Sequence, residues 1–295
     1  MALILQGEEL EKAKEFLREA YKTSRIIFEN ASRMAKKGER ILEIELMAEQ
    51  EILKDFKLAF PPQVSIGNIA AHSCQELNSD ETIREGNIKL DIGIMNDDGL
   101  IFDTAKTFLG EERMIKAVEE ALLKALKLAT PGRKLGEIGK TIEETARKYG
   151  LKPIRNLGGH GLDKFMIHSN PSIPNYDNQS EEELVEGMLI AIEPFITSGE
   201  GLVREKGRAT IFSIKPNARA RSNSARMLIN KYPPGIPFSL RDVDRLNAKI
   251  GFIELVRNNM LYEYPPLVEI SKAPVVQAET TIIVMDKPFY HWAEL

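Results

Sequence analysis

The 295-residue chain contains a single cysteine, Cys74. An intramolecular disulfide is therefore excluded, and with it the stapled frameworks of small secreted domains; this composition suits a reducing, cytoplasmic setting. No stretch approaches the roughly eighteen apolar residues of a membrane-spanning helix. The opening MALILQGEELEKAKEF has no basic leader and soon turns acidic. Charge of either sign is in little excess, with 40 Lys and Arg against 44 Asp and Glu, net −4. Such a molecule lacks the cationic surplus that draws a protein to a phosphate backbone, so neither nucleic acid nor a membrane is the expected partner. Histidine is scarce at four residues, which makes the setting of each informative. Core-forming material is plentiful: 43% of residues are hydrophobic and 28% charged, the mixture of a chain that folds unaided.

Apolar residues recur at three- and four-residue spacing over 7–37, the stripe of a long amphipathic helix that Gly38 ends. A second helix is predicted over 42–56, followed by the extended FPPQVSIGNIAAH. The order then repeats: helix over 111–129, a break at Pro131 and Gly132, helix over 135–149, then extended KPIRNLGGH. Superposed without a gap, Gly38, Glu43, Ile44, Glu49 and Lys54 fall on Gly132, Glu137, Ile138, Glu143 and Lys148. This pattern suggests an internal duplication, two αβ halves related by a pseudo-two-fold. Between them NIKLDIGIMNDDGLIFDTAKTF alternates on either side of Asn96 to Gly99, a hairpin signal. Further strands are predicted at 188–196 and 275–285. The region 204–264, rich in Arg, Lys, Asn and Pro, has helical patches at 224–231 and 240–258 and reads as an inserted subdomain. This divides the chain into a main domain, 1–203 with 265–295, and an insert at 204–264. The basic NARARSNSARMLINKY within it reads as a solvated helix face in preference to a contact with ribosomal RNA.

The chemistry is carried by scattered polar residues in apolar settings. Asp91 and Asp103 lie on the two arms of the hairpin. An odd loop, for which Asp98-Gly99 is suited, lets them face each other; an even one leaves one of them in solvent. Facing carboxylates repel unless a cation sits between them. His72, His160 and His168 stand in NIAAHS, NLGGHG and FMIHSN, each of which would also suit an ordinary core or surface histidine. Glu193 in MLIAIEPF and Glu279 in VVQAETTIIV are lone acids in apolar strands. Each is either turned outward, or buried and then paired, protonated or bound to metal, because an unpaired buried carboxylate costs several kcal/mol. Cys74, two residues beyond His72, is either a reactive thiol or an inert buried one.

The ordered set Asp91, Asp103, His160, Glu193 and Glu279 resembles the five metal ligands of the pita-bread metallopeptidases, among them methionine aminopeptidases, prolidases and creatinases. FPPQVSIGNIAAH, KLDIGI with FDTA, NLGGH with IHSNPSIPN, AIEPF, YPPL and QAETTIIV extend the likeness to archaeal type 2 methionine aminopeptidases over nearly the whole chain. The resemblance implies an α+β pita-bread fold: pseudo-two-fold halves around a curved, mainly antiparallel sheet, with an inserted, winged-helix-like helical subdomain. It implies two divalent metal ions (Co, Mn, Fe or Zn), one held by Asp91, Asp103 and Glu279 and the other by Asp103, His160, Glu193 and Glu279. Glu193 corresponds to the proton acceptor, and His72 and His168 to hydrogen-bonding histidines beside the substrate. Phe60, Asn156, Ile167, His168 and Tyr264 correspond to the pocket for a methionine side chain. The implied substrates are the N-termini of nascent polypeptides, with a transient ribosome contact as the further partner, and the implied state is a monomer. The short stretch before Asp91 favours this class over prolidases, whose extra N-terminal domain it would not accommodate. A Pro-specific peptidase and a metal-free binding protein are the competing readings. The chain departs from the family pattern at Thr280, usually His, and Ala278, usually Phe, and both departures bear on the support of Glu279.

Overall fold

Ala13, Phe16, Leu17, Ala20, Ile27, Phe28 and Ala31 are all buried along one face of the first helix, as the spacing requires. The computed structural model describes residues 1–84 and 86–292. The first half comprises α1 (Gly7–Met34), α2 (Ile41–Ile52), β1 (Lys57–Ile66), β2 (Ile69–Ala71), β3 (Ile88–Met95) and β4 (Ile101–Phe108). The second comprises α3 (Glu112–Leu128), α4 (Leu135–Lys148), β5 (Lys152–Pro153), β6 (Gly158–Asp163), β7 (Met166–Pro174), β8 (Leu189–Ile192) and β9 (Phe195–Thr197). Then come β10 (Val203–Glu205), β11 (Ile211–Ile214), α5 (Asn223–Lys231), β12 (Phe238–Ser239), α6 (Leu240–Arg245), α7 (Lys249–Arg257), β13 (Leu261–Tyr264) and β14 (Leu267–Glu269). The chain returns through β15 (Val275–Ile283) and β16 (Phe289–Tyr290).

One large sheet runs β1-β3-β4-β15-β8-β6-β7, with every neighbouring pair antiparallel. Its strands alternate: Ile88, Leu90, Ile92 and Ile94 of β3 share a core with α1 and α2, and Val276, Ala278 and Ile282 of β15 share one with α3 and α4. The helices thus cover one face and leave the odd-numbered residues of β3, β4 and β15 on the other.

The duplication is visible in the backbone. Gly38 N–H donates to Ile83 C=O at 2.9 Å and Gly132 N–H to Leu184 C=O at 2.8 Å. Ile83 and Leu184 return the bond to Glu39 and Arg133, and Ile41 and Leu135 donate to Glu81 and Glu182. Gly38 and Gly132 have φ of +91° and +76°, a conformation that costs glycine little and explains why both halves keep one there. At the centre, β4 and β15 are stitched by hydroxyls. Thr104 Oγ1 donates to Glu279 C=O and Thr107 Oγ1 to Gln277 C=O, both at 2.7 Å, and Thr281 Oγ1 donates to Asp103 C=O at 3.0 Å.

Within residues 204–264, α5, α6 and α7 pack on a three-stranded sheet ordered β12-β11-β13, around a core formed by Phe212, Leu228, Phe238, Val243 and Leu255. The β-strands of this region are absent from the sequence reading, because two to four residues are too few to set up an alternation. Among the described residues, no helix is long and apolar enough to cross a membrane.

Candidate metal centre

The β3–β4 register decides the relation of the two aspartates. Asp91 faces Ala105, and Asp103 faces Gly93. The loop is odd, as the sequence allows: Asn96 N–H still donates to Leu100 C=O at 3.1 Å, and Gly99 takes φ +82° to close the turn. Of the two alternatives, the odd loop is found but the facing arrangement it allows is not: the aspartates are offset by two residues. They lie on the same face as diagonal neighbours, still within reach of one another.

Two rows of side chains cross the sheet's open face. In the first, Gln63 of β1 faces Asp91 of β3, Asp91 faces Ala105 of β4, and Ala105 faces Glu279 of β15. Ile192 pairs with Thr280 before the break after β8 and Phe195 with Gln277 after it, one uninterrupted register that sets Glu193 opposite Glu279. Glu193 therefore lies in the gap between β8 and β9 and not within a continuous strand as its sequence setting suggested; Pro194, which lacks an N–H, interrupts the ladder. In the second row Gly93 faces Asp103, and Ala191 lies between Thr281 and His160.

The five expected ligands converge. Donor atoms of Asp103, His160 and Glu279 lie within 4.8 Å of one another, as do those of Asp91, Glu193 and Glu279. His160 Nε2 is 3.6 Å from Asp103 Oδ2 and 4.0 Å from Glu279 Oε1. Glu279 belongs to both groups. The geometry sets Glu193 with Asp91, whereas the family pattern sets it with His160. Asp91 Oδ1, Asp103 Oδ1 and Glu279 Oε1 are buried without a hydrogen-bond partner. A buried carboxylate oxygen without a donor is costly, and a cation is the partner this donor set lacks.

Electrostatics point the same way. Burial pushes the Asp91 carboxyl up to about 7, against a hydrogen bond from Gln277. Burial first, and neighbouring carboxylates second, hold Asp103, Glu193 and Glu279 well above the usual carboxylate range. Burial lowers His160 to about 3, leaving a neutral imidazole available as a ligand. These groups fit divalent cations: four acids that repel without one, and a histidine that stays unprotonated.

This predicts a pH response of the metal-free protein. Carboxyls whose folded pKa lies above the unfolded value bind more protons folded than unfolded, so their contribution to stability is lost as pH rises through the folded pKa. His72 and His160 are lowered from 6.5 to about 4 and about 3, so they oppose folding only as pH falls below 6.5. Chelated protein should therefore melt several degrees higher at pH 6.5 than at about pH 8.5. Saturating Mn²⁺ should abolish that difference in thermal melts; a metal-free melting point independent of pH over this range would contradict the ionisation scheme.

The cluster opens into a cavity of ≈ 800 Å³ that is also lined by Phe60, His72, Asn156, Ile167, His168 and Tyr264. All the expected substrate-binding side chains thus reach one space. The His168 ring lies 4.6 Å from that of His160, edge to face, and the His72 ring 5.6 Å from that of Tyr264. His168 touches solvent inside the cavity while protein surrounds it on most sides, and this burial lowers its pKa. His72 takes φ +62° and is lowered to about 4 by burial, then by His168. Its Nδ1 lies 3.3 Å from Pro265 C=O. Gly93 makes room for Phe60: a Cβ there would lie 2.4 Å from the ring. Asn156 spends both ends of its amide on Val203, donating at 2.7 Å and accepting at 2.9 Å, so it forms wall more than a free ligand. Tyr264 and Ile211, paired at the edge of the insert's sheet, close one side of the cavity.

The sequence reading missed Gln277. It is buried on β15 on the same face as Glu279, and its Nε2 donates to Glu193 Oε1 at 2.8 Å and Glu279 Oε2 at 3.4 Å. The two-residue spacing to Glu279 was the available signal. The concern over Thr280 and Ala278 is corrected by the same alternation. Both point to the helix side, Ala278 into the core beneath α3 and Thr280 Oγ1 onto His291 C=O at 3.2 Å. Glu279 is flanked on its own face by Gln277 and Thr281. Cys74 is 4% exposed and burial raises its pKa well above the ordinary thiol value, so the inert reading holds. His291 stacks on Tyr21 and Trp292 is buried in the second core, both away from the cavity.

A curved antiparallel sheet cradling four carboxylates and an imidazole defines a metallopeptidase-type site. The model of metallopeptidase family M24 matches residues 15–216, and the chain belongs to that family, whose members use divalent metals. A methionine aminopeptidase of Archaeoglobus fulgidus is 38% identical over 283 residues, covering 94% of this chain and 97% of its own. A solved thermophilic Arx1 superposes with TM-score 0.76 at 20% identity over 90% of this chain and 86% of that one. The methionine aminopeptidase of Thermotoga maritima superposes with TM-score 0.69 at 22% identity over 97% of each chain. The two structural likenesses establish the pita-bread fold alone.

Proposed function

We propose that the protein is a type 2 methionine aminopeptidase that removes the initiator methionine from newly made polypeptides when the second residue is small. The reading rests on one observation: five metal-type donors sharing Glu279 open into the same cavity as an apolar pocket and two neutral histidines. Near-full-length relatives that carry the name methionine aminopeptidase support it. Asp91, Asp103 and Glu279 would hold one divalent cation (Co, Mn, Fe or Zn), and Asp103, His160, Glu193 and Glu279 a second. When bound, such ions lower the pKa of a water, polarise the scissile carbonyl and seat the substrate's free amine.

The side chains divide the remaining work. Glu193, held through Oε1 by Gln277, accepts the proton of the attacking water. His72 and His168 are neutral at physiological pH because both pKa values are lowered; His168 offers its N–H to the oxygen that gains charge, whereas His72 gives its Nδ1–H to Pro265 C=O and turns an accepting Nε2 to the N–H groups of the peptide. Phe60, Ile167 and Tyr264 give the methionine side chain an apolar seat, with Asn156 as wall. Such a pocket discriminates by about 1 to 3 kcal/mol per methylene, so rejection of bulky second residues is steric. In this arrangement 1–203 with 265–295 form the catalytic domain and 204–264 an insert that walls the cavity. The single reduced Cys74 suits a cytoplasmic enzyme acting on nascent chains.

The test is peptide hydrolysis by chelated protein titrated with Mn²⁺, Fe²⁺ and Co²⁺, comparing Met-Ala-Ser with Ala-Pro peptides. Methionine release from the first is expected. Turnover of Ala-Pro alone would replace the reading with a Pro-specific peptidase, and no turnover with any metal would leave a binding protein on this fold. In an active enzyme, His168→Ala should lower kcat by about 10²-fold or more with KM little changed, as loss of a donor to developing charge does. A rise confined to KM would assign His168 to ground-state binding alone.

A further inference from the structure

The loop after β2 carries His72 into the cavity and then turns back through Ser73, Cys74 and Gln75, and it is anchored from beneath by a buried ion pair that joins the two parts of the chain. Glu45 of α2 and Arg241 of α6 are each wholly buried at their side chains. Glu45 Oε1 accepts from Val64 N–H at 3.1 Å and Oε2 from Gln75 N–H at 2.9 Å. Arg241 Nη1 donates to Glu45 Oε2 and, at 2.9 Å, to Gln75 C=O. Both backbone groups of Gln75 are therefore fixed by this pair, one by each partner. Thr210 Oγ1, at the start of the insert, donates to Cys74 C=O at 2.8 Å. On the other side of the loop His72 N–H donates to Gln63 Oε1 at 2.9 Å, and Gln63 itself stands opposite Asp91. His72 has φ +62°, a conformation that a non-glycine residue keeps only where its surroundings impose it.

We propose that Arg241, acting with Glu45, is a positioning residue through which the insert holds His72 in its catalytic orientation. This goes beyond the proposed aminopeptidase reading and rests on it. Stability alone is a weak reason for such a pair, since buried ion pairs replaced by neutral groups of similar size often cost nothing. Its geometry specifies where one short loop lies. Arg241 sits in α6, the second of the insert's three helices, and its reach to Glu45 of α2 makes the insert part of the machinery as well as a wall. Glu49, which Arg245 and Arg241 Nη2 flank, backs the pair without touching the loop.

Glu45→Gln/Arg241→Met removes both charges together; the one amide oxygen keeps an acceptor for Val64 N–H, while both backbone groups of Gln75 lose their partners. It is expected to fold, to bind metal with the parent's stoichiometry and to keep KM within about twofold, while kcat on Met-Ala-Ser falls roughly tenfold or more, as small misplacements of a catalytic group do. Arg241→Lys preserves the charge, but the shorter side chain withdraws the nitrogen that serves both Glu45 and Gln75, and it should give a smaller kcat fall in the same direction. The deciding measurement is a cycle with His72→Ala. Once His72 is gone, adding either change should leave kcat where His72→Ala put it. A structural role would instead add its loss in full. Undiminished kcat in either folded variant, or additivity with His72→Ala, overturns the proposal. An inactive parent enzyme would sink the aminopeptidase reading instead, which separates the two failures.

Discussion

Asp103→Ala should abolish metal-dependent methionine release, with kcat/KM on Met-Ala-Ser falling by well over about 100-fold. Changes to groups that merely support a ligand cost about 10- to 100-fold, and in the proposed ligand set Asp103 serves both ions. Its Oδ2 lies 3.6 Å from His160 Nε2, its Oδ1 is buried without a partner, and its backbone is tied to Thr281 on the neighbouring strand. The fold should survive, because removing one of several mutually repelling buried acids relieves as much as it disturbs. Calorimetric metal titration with melting curves separates the two effects. Full activity in the folded variant would exclude the ligand set proposed here.

Ala105→Leu should cost the protein at least one of its two metal ions without touching a single ligand. Ala105 lies between Asp91 and Glu279 in the first row, its methyl on the open face and 0% exposed. Those two carboxylates reach toward each other over two strand spacings, and only a small side chain between them leaves that volume free. A leucine places three further carbons there, and overpacking of this kind costs about 1 to 3 kcal/mol while displacing neighbouring side chains. The expected result is a folded protein with at most one bound Mn²⁺ and no peptidase activity, whereas Ala105→Gly keeps both. Measured metal content decides it: two ions per chain in Ala105→Leu would show that the space above Ala105 is not where they sit.

Much of this was legible in the chain. The helices of both halves stand out through their three- and four-residue spacing, and α1, α3 and α4 lie within a few residues of the reading. Glu193 and Glu279 announce themselves as acids stranded in apolar strands, which folding tolerates only with partners, and the family resemblance adds Asp91, Asp103 and His160 to them. Gln277 was equally visible, two residues before Glu279, but an amide carries no charge whose burial demands explanation. Ala105 offers no signal at all. A small residue matters through the space it leaves, and that space is defined by strands whose pairing no local pattern states.

The sequence by itself determined the helices and the central hairpin, which follow from periodicity, and marked candidate donors through the cost of burying charge, while the set of five came from the family resemblance. Tertiary structure alone decided which residues face one another. Asp91 opposes Ala105, Glu193 opposes Glu279 across a break, and Thr280 turns to the helix side. Register is a collective outcome of sheet closure, and the side-chain alternation it carries is reversed by a slip of one residue. The same holds for Glu45 and Arg241, 196 positions apart, whose meeting under the His72 loop exists only once the insert has docked.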